Sequence, residues 1–180
     1  MRARTGRPPR SRADVLRPTA ARVRDGLFNS LGPGARGASV LDLFAGTGAL
    51  GIEALRRGAA HVVFVEHDAA RARAIEEQLE RDGLASRGVV QCLDASVAAQ
   101  RLAADGAAFH LILLDPPYGE GRLTRAVAAA AAVLRAGGLI VAEGHWRDRP
   151  ELPPGLVVAR EAKYGETVLW FIRPAATQDP

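Results

Sequence analysis

Cysteine occurs once in the 180 residues, at Cys92. A lone thiol forms no intrachain disulfide and no cysteine-based metal cluster, which excludes a disulfide-stapled secreted scaffold and points to the cytosol. Long apolar runs are also missing. The longest apolar run without a charge, Ala126 to Leu134, is less than half the roughly 20 residues that a membrane span needs. The basic N-terminus is not followed by the apolar segment of a secretory signal. The histidines, His61, His67, His110 and His145, are scattered without metal-ligand spacing, so no metal site is expected. Lysine is nearly absent, since every basic residue except Lys163 is arginine. There is no internal repeat beyond the alternation of elements described below. What is present, 48% hydrophobic and 24% charged residues, is ordinary for one globular domain able to bury a single core.

The net charge of +4 is unevenly placed. Residues 1–24 hold eight arginines against Asp14 alone, which leaves residues 25–180 net acidic. An Arg-, Pro- and Ser-rich arm buries too little apolar surface to fold alone, but it suits a phosphate backbone. The expected organisation is a basic arm over 1–16, one domain over 17–174 and a short tail over 175–180.

After the arm, Val23, Leu27, Phe28 and Leu31 recur at helical spacing, with Thr19 as the expected N-cap. Gly32-Pro33-Gly34 ends that helix. Strand and helix then alternate: strand 39–44, helix 48–57, strand 61–66, helix 68–82, strand 88–93, helix 96–104, strand 109–114, helix 122–135 and strand 139–143. Nearly continuous apolar strands separated by helices imply a parallel sheet covered on both faces. Two further strands, 156–161 and 167–173, are joined too closely for anything but antiparallel pairing. The fold class expected is α/β, a doubly wound, mainly parallel seven-stranded sheet closed by a C-terminal antiparallel hairpin.

Two stretches carry chemistry. The first strand runs into Asp42-Leu43-Phe44-Ala45-Gly46-Thr47-Gly48-Ala49-Leu50-Gly51, and Glu66 ends the second strand. Gly46, Gly48 and Gly51 have the G-x-G-x-x-G spacing, and an acid about 20 residues on can accept both hydroxyls of a ribose. A nucleoside cofactor is implied. Asp42, just before the glycines, would crowd a pyrophosphate at the helix N-terminus. S-adenosyl-L-methionine has no phosphate and carries an ammonium and a sulfonium, so Asp42, Glu66 and Asp94, at or near the ends of the first three strands, suit it. Asp94 suits its adenine amino group and equally suits an N-cap for the helix after it. Phe44 reads as a core aromatic that can also lie near the sulfur.

The second stretch is Asp115-Pro116-Pro117-Tyr118, directly after the apolar run 109–114. Proline keeps the residue before it extended, so Asp115 and Pro116 hold their acceptors in fixed directions. The same text can merely end a strand. Read with the glycine loop, it can hold the exocyclic amino group of guanine or of adenine. A nucleic-acid-binding domain that keeps the fold without turnover is the remaining alternative.

In this order, Asp42-x-Phe44-x-Gly46-x-Gly48, Glu66, Asp94 and Asp115-Pro116-Pro117-Tyr118 resemble the class I S-adenosylmethionine methyltransferases that modify base amino groups. Arg17-Pro18-Thr19, Val23-Arg24-Asp25-x-Leu27-Phe28-Asn29-x-Leu31, Leu41 to Ala54 and Lys163-Tyr164-Gly165-Glu166-Thr167 resemble, more narrowly, the bacterial RsmD family. The resemblance spans about residues 16–173. Departures are the arm, which lacks apolar strand-like text, and Asp25 and Gly26, where the family more commonly has Glu and a better helix former.

The resemblance implies a methyltransferase acting on guanine N2 of 16S ribosomal RNA, the guanine(966)-N2 type of activity, within a small-subunit particle and as a monomer. It implies Asp115, Pro116, Pro117 and Tyr118 as catalytic residues, Asp42, Phe44, Gly46, Gly48, Glu66 and Asp94 as cofactor contacts, and Arg17, Thr19, Arg22 and Arg24 as RNA contacts. Trp146 and Arg147, on the carboxyl side of the sheet, are possible substrate contacts. Tyr164-Gly165 reads as a turn with a structural aromatic.

Overall fold

Short runs of β-branched and aliphatic residues supply seven strands, and the alternation of their side chains decides what covers each face. The computed structural model describes residues 12–119 and 121–176, with side chains from Ala21 onward. The strands are β1 (Ser39–Asp42), β2 (His61–Glu66), β3 (Gly88–Cys92), β4 (Phe109–Leu114), β5 (Leu134–His145), β6 (Leu156–Tyr164) and β7 (Thr167–Pro174). They form one sheet in the order β3-β2-β1-β4-β5-β7-β6. Strands β1 to β5 run parallel, and β7 lies antiparallel between β5 and β6. The chain leaves β1 first toward β2 and β3, then crosses to β4 and β5 on the other side. The carboxyl ends of β1 and β4 therefore flank the point where a doubly wound sheet opens a crevice.

The helices are α1 (Arg12–Leu31), α2 (Ala49–Arg56), α3 (Ala69–Arg81), α4 (Ala95–Ala104) and α5 (Arg122–Ala131). Val40, Phe64, Leu111, Leu113, Val141 and Phe171 point to one face and pack with Leu27 and Phe28 of α1, Leu55 of α2 and Ile75 of α3. The residues between them, among them Leu41, Val65, Ile112, Leu114, Ile140 and Trp170, point to the other face. There they meet Ala98 and Leu102 of α4 and Leu123 and Val127 of α5. A strand that alternates between two cores is apolar throughout, which is why the sequence shows runs rather than a period of two. Among the described residues no helix is long and apolar enough to cross a membrane.

Two boundaries differ from the sequence reading. Helix α1 begins at Arg12, so Thr19 lies inside it and is not its N-cap. The helix continues through Pro18, with the good helix formers Ala13, Leu16 and Arg17 before it. Farther on, α5 stops at Ala131 and β5 starts at Leu134, several residues earlier than expected. The Phe109 N–H donates to the Val133 carbonyl at 2.9 Å, and Phe109 pairs with Leu134 before the register shifts toward Leu111. Pairing with β4 thus overrides the helix propensity of the alanine-rich text, and the sheet takes up the irregularity as a bulge.

Gly26 also acquires a reason. A Cβ there would lie 2.1 Å from the Tyr164 hydroxyl oxygen, so the end of β6 packs its aromatic ring directly onto α1. A better helix former at this position would displace that ring.

Candidate active site

Beyond β1 the backbone turns through Gly46 (φ +55°) and Gly48 (φ +76°), the latter serving as N-cap of α2. A non-glycine residue resists both conformations. A Cβ on Gly46 would find nothing nearer than the Phe44 carbonyl oxygen at 3.9 Å, so a ligand can approach this backbone closely. Gly51 serves packing instead. Its Cβ would sit 2.2 Å from the Phe64 ring, so α2 rests directly on β2. Gly51→Ala is expected to cost about 1–3 kcal/mol of stability, read from the denaturant midpoint; an unchanged midpoint would show that α2 can slide away from Phe64.

Asp42 and Glu66 hold this loop from below. The Asp42 carboxylate accepts from the Gly51 N–H at 2.9 Å, and Asp42 is 1% exposed. It lies behind the cavity wall rather than on it. Glu66 accepts from the Gly46 N–H and the Asp68 N–H, each at 2.8 Å, and so ties the end of β2 to the glycine turn. Asp94 caps α4, accepting from the Ser96 N–H at 2.8 Å and the Val97 N–H at 3.4 Å. Its bonds from Ser96, led by the side-chain hydroxyl, hold the carboxyl below the usual range.

The register brings the two sequence motifs together. Asp42 pairs with Leu113, so the chain after β4, beginning at Asp115, emerges beside Phe44 and the glycine turn. On its other side Leu114 pairs with Ala142, which sets Asp115 next to Glu143 at the ends of adjacent parallel strands. These ends enclose a cavity of about 730 Å³. It runs from Leu93 and Asp94, past Glu66, Gly46 and Phe44, to Asp115, Pro116, Pro117 and Tyr118, and closes against Glu143 and Thr167. Gly48 and Asp42 support the wall without lining it.

Four carboxyls, those of Glu66, Asp94, Asp115 and Glu143, line the cavity together with the guanidiniums of Arg71 and Arg122. Burial raises the Asp42 carboxyl to about 7, opposed by the Gly51 N–H and reinforced by the negative charges of Asp115 and Glu66. Asp115 is raised to about 6 by desolvation, although its side chain remains open to water in the cavity; the surrounding walls thin its hydration without enclosing it. Desolvation, then repulsion from Asp115, raises Glu143 to about 8. Tyr118 is 60% exposed; desolvation raises its hydroxyl, against a hydrogen bond with Thr167. Near the glycine turn the carboxylates of Glu66, Asp94 and Asp115 favour a cationic group. Among the described residues no group of three or more His, Cys, Asp and Glu could hold a metal ion.

The sequence reading passed over Glu143. The signal was there, an apolar strand ending in an acid as at Glu66, but Gly144 and His145 after it form no motif. Arg22 is exposed on α1, whereas Arg24 is half-buried and its Nε is buried without a hydrogen-bond partner. The side chains of Arg17 and Thr19 lie outside the described residues. Trp146 is exposed, with the Arg147 guanidinium 4.8 Å and the Lys163 ammonium 5.6 Å from its ring centre. Arg147 lines a second cavity of about 240 Å³ that shares the wall of Pro116, Pro117, Tyr118, Arg122 and Glu143.

YlbH of Bacillus subtilis (strain 168), provisionally named an rRNA methyltransferase, is 39% identical over 155 residues, 84% of each chain. Ribosomal RNA small subunit methyltransferase D of Escherichia coli (strain K12) is 39% identical over 112 residues, 62% of this chain and 54% of that protein. Among solved structures, a provisionally named methyltransferase of Escherichia coli, yhhF, superposes with a TM-score of 0.77 at 26% identity, covering 96% of this chain and 90% of that one. A hypothetical protein of Thermus thermophilus gives 0.73 at 31% identity, covering 96% and 94%. The model of the family described as Conserved hypothetical protein 95 matches residues 4–173, and the chain belongs to that family, the RsmD family.

Proposed function

We propose that the protein transfers a methyl group from S-adenosyl-L-methionine to the exocyclic N2 of a guanine in 16S ribosomal RNA, guanine 966, within a small-subunit particle in the cytosol. The observation that carries this reading is Asp115. Its carboxyl opens into the cavity beside Pro116 and Tyr118, and no described residue hydrogen-bonds to it. The rRNA methyltransferase names of the relatives agree.

The residues present fit the cofactor. Glu66 and Asp94 stand where a nucleoside would lie, the open side of Gly46 admits close approach, and the carboxylates of Glu66, Asp94 and Asp115 suit a cation. When bound, S-adenosyl-L-methionine supplies an electrophilic methyl group. The amino group that receives it is a poor nucleophile, because its lone pair is delocalised into the purine ring. Asp115 and the Pro116 carbonyl oxygen each accept one N–H, which draws the nitrogen toward tetrahedral geometry and aims its lone pair across the crevice. Positioning of this kind supplies several kcal/mol. Tyr118 stacks on the base, and Asp115 or water takes the proton released. The target base has to be unpaired or flipped out to reach this loop. Arg17, Thr19, Arg22, Arg24 and the N-terminal arginines engage phosphate.

Labelled methyl transfer to small-subunit particles from a strain lacking the gene, followed by nucleoside analysis, is expected to give N2-methylguanosine. Methylated adenosine would reject the guanine reading. Cofactor binding without transfer would leave a nucleic-acid-binding domain of the same fold.

A further inference from the structure

Five acidic side chains surround the cavity, and they divide by what occupies their oxygens. Asp42, Glu66 and Asp94 each accept backbone N–H bonds, from Gly51, from Gly46 and Asp68, and from Ser96 and Val97 respectively. Asp115 and Glu143 are the other two. Neither carboxyl has a hydrogen-bond or ion-pair partner among the described residues, and the two repel each other. They are also the two on the far side of the crevice from Glu66 and Asp94, because β5 flanks β4 on the side away from β1. Two unpartnered carboxyls side by side call for a ligand with adjacent donors.

Guanine has such an edge and adenine does not. Guanine presents the N2 amino group, then the N1 hydrogen, then the O6 acceptor; beside its amino group adenine presents a bare N1 acceptor. Resting on the methyl-transfer reading above, we propose that Glu143 determines specificity by accepting the N1 hydrogen of the target guanine while Asp115 and the Pro116 carbonyl hold its amino group. The register that sets Glu143 beside Asp115 aligns the two carboxyls with two neighbouring atoms of one purine edge. A Glu143 that keeps its proton near neutrality also gives its O–H to O6, so one side chain answers both remaining groups of the edge.

The test uses the full chain and small-subunit particles reconstituted with 16S rRNA carrying either guanine or 2-aminopurine at the target position. 2-Aminopurine keeps the amino group that is methylated but lacks both the N1 hydrogen and O6. The wild type is expected to favour guanine by about 10–100-fold in kcat/KM, the range of one or two lost hydrogen bonds. Glu143→Ala is expected to lower the guanine rate to the 2-aminopurine rate and bring the ratio near one. Glu143→Gln, whose amide can accept from N1 and donate to O6, is expected to restore the preference. Melting temperature and S-adenosyl-L-methionine affinity should stay near wild type in both variants. An alanine variant that still prefers guanine as strongly as the wild type overturns the proposal and leaves the methyl-transfer reading intact. A wild type that methylates neither RNA overturns both.

Discussion

Replacing Asp115 with alanine is expected to lower kcat by about 10³-fold while S-adenosyl-L-methionine binds within about twofold of wild type. The separation follows from where the side chain stands. Asp115 is at the end of β4, beside the glycine turn, and none of the bonds that shape that turn involves it; those come from Asp42 and Glu66. Its removal therefore leaves the cofactor half of the cavity in place and takes away an acceptor that orients the nucleophile. Asp115→Asn keeps the shape and an amide oxygen that can accept the one N–H, and is expected to recover part of the loss. Activity of the wild type should also fall as pH drops through about 6, where Asp115 gains its proton and becomes a weaker acceptor for the amino N–H and for the proton released. Single-turnover methyl transfer and calorimetric titration of the cofactor measure the two quantities separately. Loss of cofactor affinity in the alanine variant, with turnover at saturation unchanged, would place Asp115 in the cofactor site instead.

The second large effect is on stability, at Asp42. In the folded protein its carboxyl is raised from 3.8 to about 7, first by burial and then by Asp115 and Glu66, despite the Gly51 N–H bond. The folded state thus holds this proton more tightly than the unfolded state between those two values. Stability linked to the group is complete below about pH 4 and is lost as pH rises to about 7. The loss is on the order of 2–4 kcal/mol, given about 1.4 kcal/mol for each tenfold change in proton affinity. Asp42→Asn removes the charge and keeps an acceptor for the Gly51 N–H. At pH 8 it is expected to melt about 5–10 °C above the wild type, and near pH 4.5 close to it. Thermal unfolding across this range checks the sign, and a wild type that grows more stable relative to the variant as pH rises would refute the assignment.

Much of this could be read from residues in order. The strands 61–66 and 109–114 agree with the structure to the residue, because each is an apolar run bounded by turn formers. Asp68 caps α3, with its side chain accepting from the Arg71 N–H. The boundary between α5 and β5 was not legible, since the alanines of 126–132 favour helix locally while their end is set by pairing with Phe109, a contact across more than 20 residues. Gly26 read as a weak helix position until Tyr164, brought from the far end of the chain, was found lying on it.

By itself the sequence determined the alternation of strands and helices, the glycine turn after β1, and the stiff Asp115-Pro116-Pro117-Tyr118 loop after β4, because each depends on local backbone preference and side-chain period. Only the tertiary structure decided what each carboxyl does. Asp42, Glu66 and Asp94 are engaged by backbone N–H groups, while Asp115 and Glu143 face the cavity without partners among the described residues. That division rests on which strands are neighbours and on which amides the turns aim at them, and parallel strands find their neighbours through non-local pairing that no stretch of residues encodes alone.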